Sequence, residues 1–446
     1  MEVHFRSITI VCNEKHSVEH IQRNDCFFRL SPSDHFPPYM QHPQMLEYLE
    51  MYAEHNHLLK YVRFETTVLN IARSNTHYKD GTWVVNYRTK SDPSQQEEIF
   101  DCVLLAQGPH ARKNLPKWPN MENFEGRVIH SQDYKDFHGF EDAVNVVVAL
   151  TYISTRRGSW VVSRLGARGI PIDMQFTTRF LRSYLPCLVP QSILDWLGES
   201  KLQSRFDHAK YGLIPKHRLS QQQVTMNDEL PGRIICGAII VKPNISYFTP
   251  NGVIWEDGST TQPVDNVILC TGYRPTFDLV EDGKLIRVTE NKSCLYKHMY
   301  PAELLCGGDF DLNNKLQAPK APSLAIIGLV HASGAITSVV EMQARLFFHY
   351  FCGDLSGQQP ELKPWLSPRY TFQLDYMAYM DEMAGVVGCL PKPWEYMLRD
   401  WRLAFSLIFK ANLPYIYRLQ GPHRWDGARE AIIKAEQRTD RGLKNL

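Results

Sequence analysis

The chain predicts an α/β protein built around parallel sheet and divided into more than one core. Its 446 residues exceed what one core fills, since single cores stop growing near roughly 250–300 residues. Apolar strand-like runs end at glycines: 100–105 at Gln107-Gly108, 266–269 at Cys270-Thr271-Gly272-Tyr273, and 324–327 at Gly328. Helix-patterned segments alternate with these runs, as strand-to-helix units require.

Taken in order, the proline-rich stretch 33–43 reads as loop, and 44–59 as an amphipathic helix with Leu46, Leu49, Tyr52 and Ala53 at helical spacing. Strands are expected at 61–64, 67–71 and 83–87, the last two joined through a turn containing Lys79-Asp80-Gly81. The middle third predicts a helical patch at 175–202, a loop at 211–218, and strands at 233–241 and 252–255. The apolar window 323–340 is interrupted by His331, Ser333, Thr337 and Ser338, so it reads as strand, turn and helix rather than a membrane span. Helix follows at 337–351, and the final 80 or so residues are helical and aromatic-rich.

The composition is that of a soluble globular chain, 43% hydrophobic and 22% charged. A formal net charge of +1 gives no electrostatic reason to expect nucleic acid or an anionic membrane as partner. The ten cysteines stand singly, none in C-x-x-C spacing, so free and mostly buried thiols are expected, with no metal site. No H-E-x-x-H and no G-x-S-x-G occurs, and His130 lacks a positioned partner in the sequence; a hydrogen-bonded structural histidine and a general base both remain open. No two of the 26 glycines are separated by two. A dinucleotide fingerprint needs that spacing for its turn and for backbone approach to pyrophosphate, so the sequence contains no G-x-G-x-x-G.

Residues 124–134, FEGRVIHSQDY, fit F-x-G-x-x-x-H-x-x-x-Y. In order along the chain stand SDHFPPYMQHPQMLEYLEMYAEH, FDCVLLAQGPHARKNLPKWPNMENFEGRVIHSQDY, RRGSWVVSR, HAKYGLIP, NDELPGRIICG, DNVILCTGYRP, APSLAIIGLVHASGAITSVVEMQARLFF and PYIYRLQGPHRWDGAREAI. Together they resemble the flavin-containing monooxygenases. That resemblance implies a flavoprotein with two Rossmann-like dinucleotide-binding domains: an FAD-type domain from residues 1–108 and 273–446, and an NADPH-type domain from 109–272.

It also implies FAD and NADPH as cofactors, and dioxygen plus a small amine or sulfide as substrates. The soft nitrogen or sulfur would be oxygenated through a flavin 4a-hydroperoxide in xenobiotic metabolism. Localisation would be the cytosolic face of the endoplasmic reticulum, or the cytoplasm if the lack of a hydrophobic tail means no transmembrane anchor; homo-oligomerisation stays open. Gly108 suits a crossing between the two domains, Thr271, Gly272 and Tyr273 the return crossing. Arg156 and Arg157 suit the 2′-phosphate of NADPH, and Gln343 a flavin-facing amide. Asn13 is the candidate for the catalytic asparagine, although an ungapped alignment places Val11 there. Three departures accompany the likeness: the chain is expected to begin after the FAD glycine loop, the NADPH loop expected after Val148 is missing, and the carboxyl end lacks the hydrophobic tail. The rival reading is a degenerate, non-catalytic relative acting as a binding protein.

Overall fold

The computed structural model describes residues 8–12, 36, 39–110, 112–136, 138–140, 145–146, 152–222, 224–289, 293, 295–305, 322–332, 334–352 and 373–437. The chain falls into two compact units, the first made of Met1–Ala111 with Pro275–Leu446 and the second of Arg112–Arg274.

The first unit opens with β1 (Ile8–Cys12). Helix α1 (His42–His55) starts behind Gln41, whose backbone N–H donates to the Gln44 side chain, and Pro43 lies in its first turn, where a missing N–H costs nothing. Tyr48 and Tyr52, one turn apart, form its buried face. Three antiparallel strands follow, β2 (Thr66–Arg73), β3 (Trp83–Thr89) and β4 (Gln96–Phe100). Ile71, Trp83, Val85 and Phe100 are buried along them. Gly81, at φ +80°, ends the helical turn His77–Asp80 before β3, a backbone region that disfavours side chains. β5 (Cys102–Ala106) pairs antiparallel with β1, from Ile8↔Ala106 to Cys12↔Cys102.

The strand expected at 61–64 does not form. A 3-10 turn (Leu59–Tyr61) stands there, and Tyr61, Val62 and Phe64 are exposed. Strand propensity without a neighbouring strand leaves the backbone nothing to pair with.

In the second unit, β6 (Arg112–Lys113), β7 (Arg127–His130), β8 (Asn145–Val146) and β9 (Tyr152–Ser154) come first. The predicted helical patch 175–202 is cut into pieces, Ile172–Phe176, Phe180–Tyr184 and Leu185–Leu188, before α2 (Gln191–Arg205). Pro186 sits in the first turn of one piece and Pro190 caps the next, so each proline marks a restart. The expected strand 233–241 is mostly helix: Leu230–Ile235 forms a turn with Pro231 near its start, and only β10 (Ile240–Lys242) is extended.

An antiparallel meander, Ile245–Thr249, Gly252–Trp255 and Thr260–Thr261, precedes β11 (Asn266–Leu269) and β12 (Tyr273–Arg274). The sheet runs β10-β9-β8-β11-β7 with every pairing parallel. All four residues of β11 are buried, as a strand covered on both faces requires.

Back in the first unit, β13 (Leu324–Ile326) lies parallel to β5, and the indole N–H of Trp83 donates to Ser323 Oγ at 2.9 Å. The longer helices described after it are α3 (Ile336–Phe351), α4 (Tyr376–Val387) and α5 (Trp401–Phe409). Met342, Leu346, Phe347, Met380, Met383 and Leu407 share one core, each large apolar side chain contributing about 1.5–3 kcal/mol on burial. Strand, turn and helix therefore occupy the 323–340 window, and among the described residues no helix is long and apolar enough to cross a membrane. Cys102 and Cys389 are buried thiols, but Cys187, Cys236 and Cys270 are exposed; scattered single cysteines did not all face a core.

Candidate cofactor site

β5 and β13 run side by side in the same direction, and in such sheets ligands sit beyond the carboxyl ends of the strands. Gly108 follows β5 at φ +70°, with nothing within 4 Å of where a Cβ would be. Backbone conformation alone, not the approach of another chain, requires glycine here. Gly328 follows β13 at φ +72°, and a Cβ there would meet Val340 Cγ2 at 3.3 Å.

The Gly328 N–H donates to Gln343 Oε1 at 2.8 Å, Gln343 Nε2 donates to Tyr379 Oη at 2.8 Å, and Tyr379 Oη donates to Lys297 O at 2.6 Å. Gln343 is fully buried, so it is no exposed helical glutamine. Its amide ties the end of β13 to α3 and α4, and burial pushes the Tyr379 phenol far up so that it stays a neutral donor. α3 begins at Ile336 behind Ala335, without a side-chain cap, and its first-turn N–H groups favour negative charge.

Two histidines meet at this edge. His110 follows Gly108 and His331 follows β13, with ring centroids 5.6 Å apart. Burial pushes both imidazoles below their ordinary value, and His331 lowers His110 further. Both are therefore held neutral around pH 7. Each histidine stands in a quoted string, but no spacing links the two; only parallel strand ends bring them together.

In the second unit the crossing segments pair as β6 and β12. The Gly272 carbonyl accepts from Asn114 N at 2.9 Å and from His130 Nε2 at 3.1 Å, while Asn114 Nδ2 donates to Thr271 O at 3.1 Å. His130 Nδ1 accepts the Gln132 N–H at 3.1 Å, so the proton resides on Nε2. Buried, held at both nitrogens and packed edge-on against Tyr273, His130 is structural. Thr271, Gly272 and Tyr273 are likewise engaged within the crossing.

Arg156 and Arg157 follow β9 and are exposed, at the carboxyl edge of a parallel sheet. Gly158 behind them, at φ +69°, leaves no room for a Cβ, which would lie 2.3 Å from Ile214 O. Asn13 lies outside the described residues.

The fit to a dinucleotide is divided. In the first unit the strand ends, positive-φ glycines and uncapped α3 suit a flavin. β1 runs antiparallel to β5, so its carboxyl end faces away from that edge and offers no pyrophosphate turn there. In the second unit Val146 is the parallel partner of Tyr152, with residues 147–151 alone between them. A parallel crossover normally takes about a dozen or more residues, usually including a helix. The strands flanking a nucleotide loop are present without the length that the loop and its helix need, and the residues do not fit a pyrophosphate held in the usual way.

A two-unit α/β architecture with a ligand edge at β5 and β13 is the class this geometry defines. The model of flavin-binding monooxygenase-like proteins matches residues 15–446. The chain is 36% identical to flavin-containing monooxygenase 5 of Homo sapiens over 94% of this chain and 81% of that one. It is 33% identical to dimethylaniline monooxygenase [N-oxide-forming] 2 of Mus musculus over the same shares, 94% and 81%. Among solved structures, the S-allyl-L-cysteine S-oxygenase of Allium sativum is similar at a TM-score of 0.50 and 16% identity, covering 99% of this chain and 84% of that one. The chain belongs to the flavin-binding monooxygenase-like family, a family of FAD- and NADPH-using enzymes.

Proposed function

We propose that the chain oxygenates soft nitrogen or sulfur centres of small molecules with FAD, NADPH and dioxygen, binding both cofactors weakly. The observation that carries the reading is the edge formed by β5, β13 and α3, where Gly108, Gly328 and the Gln343 amide brace the surface that a flavin ring system needs. When bound, the flavin supplies the redox chemistry and the oxygen transfer. The chain's own residues orient it and keep the neighbouring imidazoles uncharged. Arg156 and Arg157 are the anchors available to the 2′-phosphate. Losing two charge-assisted hydrogen bonds to pyrophosphate, at roughly 1.5–3 kcal/mol each, weakens a dinucleotide by about two to four orders of magnitude.

The test incubates purified chain with a thioether, dioxygen and rising FAD and NADPH, and measures sulfoxide by mass spectrometry. Sulfoxide that keeps rising toward about 1 mM cofactor is expected. No sulfoxide at any concentration defeats the reaction class; a stoichiometric yellow flavin band retained through gel filtration defeats the weak binding.

A further inference from the structure

The second unit contains an open cleft of about 920 Å³ lined by α2 and the segment 214–221, a size suited to a drug-sized molecule. Its walls are aromatic and apolar: Trp160, Trp196, Ile214 and Pro215. Trp160 is buried and its indole N–H is satisfied by His217 O at 3.2 Å, which leaves the ring as a fixed wall. Trp196 and Ile214 are 60% and 46% exposed, a large apolar area left in water unless something covers it.

The charge in the cleft is one-sided. Glu199 is neutralised by Arg218 at 3.1 Å and also accepts the Leu219 N–H at 3.0 Å. Asp195 behind it is buried, with its two oxygens accepting from Gln191 and Ser220. Among the described residues Lys216 has no carboxylate partner, and of the lysine and arginine side chains lining the cleft it is the one left unmatched. An apolar wall beside an unmatched cation recognises a ligand with an aromatic body and one anionic group.

We propose that this cleft, which adjoins the Arg156–Arg157 turn through the Lys216 backbone N–H donated to Arg157 O at 3.0 Å, is a binding site for small aromatic anions, with Trp196 stacking the ring and Lys216 pairing the charge.

The probe is 8-anilinonaphthalene-1-sulfonate, read by its fluorescence on titration into the full chain, with uncharged N-phenyl-1-naphthylamine as the control. Saturable one-to-one binding of the sulfonate is expected. Trp196→Ala weakens both probes by about tenfold or more, whereas Lys216→Gln weakens the sulfonate by about fivefold or more and leaves the uncharged probe unchanged. Both substitutions are at exposed positions, and circular dichroism melts verify that each variant folds. Sulfonate binding that is non-saturable, or unchanged by either variant, overturns the proposal; so does an equal loss of both probes in Lys216→Gln.

Discussion

The carboxyl ends of β5 and β13 in the first unit and of β8 in the second are equivalent places beside parallel strand pairs, yet they are furnished differently. The first edge has two positive-φ glycines, a buried amide bridging to two helices and a pair of neutral histidines. The second has strands of the right direction, but Val146 pairs with Tyr152 almost at once. The first edge keeps its glycines and its buried bridge although β1 runs antiparallel beside β5. A nicotinamide dinucleotide relies on the loop and helix that a short step cannot contain. Family sequence and family binding site can thus separate within one chain.

The difference can be sharpened from the first unit. Gln343→Leu removes the acceptor of the Gly328 N–H and one partner of Tyr379. Leaving a buried donor unpaired costs about 1–3 kcal/mol, which urea unfolding would show as a lower midpoint. An unchanged midpoint would mean that the strand end does not depend on this bridge.

Acid offers a second handle. His110 and His331 have folded pKa values below the ordinary 6.5, so the unfolded chain takes up protons first as pH falls. Their neutral form costs the fold nothing above about pH 6.5, and stability declines below it. His208 in the second unit is lowered by burial in the same sense. Carboxylates such as Asp80, held down to about 2 by hydrogen bonds from Thr82, titrate well below that window. Melting temperature measured between pH 7.5 and 5 should therefore fall, and His331→Gln should flatten the slope; a slope unaffected by the substitution would mean that this pair does not set the acid sensitivity.

The smallest effect is expected at the second edge. Arg156→Ala with Arg157→Ala should change stability by no more than about 0.5 kcal/mol each, as exposed positions do. The pair should still reduce any preference for NADPH over NADH in cofactor-dependent NADPH oxidation. A double variant with an unaltered preference would assign the arginines to solvent.

Much of this fold was legible because burial on both faces writes continuous apolar runs: 266–269 and 324–327 read as strands, and 337–351 as helix, each within a residue or so of its place. Segments failed where propensity and context diverge. Residues 61–64 carry strand formers but meet no partner, and 233–241 hides a helical turn that Pro231 starts. In the site, Gly108 was legible as a strand end. The hydrogen bonds of Gln343 and the meeting of His110 with His331 were not, because each joins segments far apart in sequence.

We propose that the second unit lacks the grip on a dinucleotide that its ancestry would suggest. Isothermal titration of NADP⁺ into the full chain tests it most directly. A dissociation constant above about 1 mM is expected, equivalent to less than about 4.1 kcal/mol of binding; one-to-one binding in the low micromolar range would contradict it.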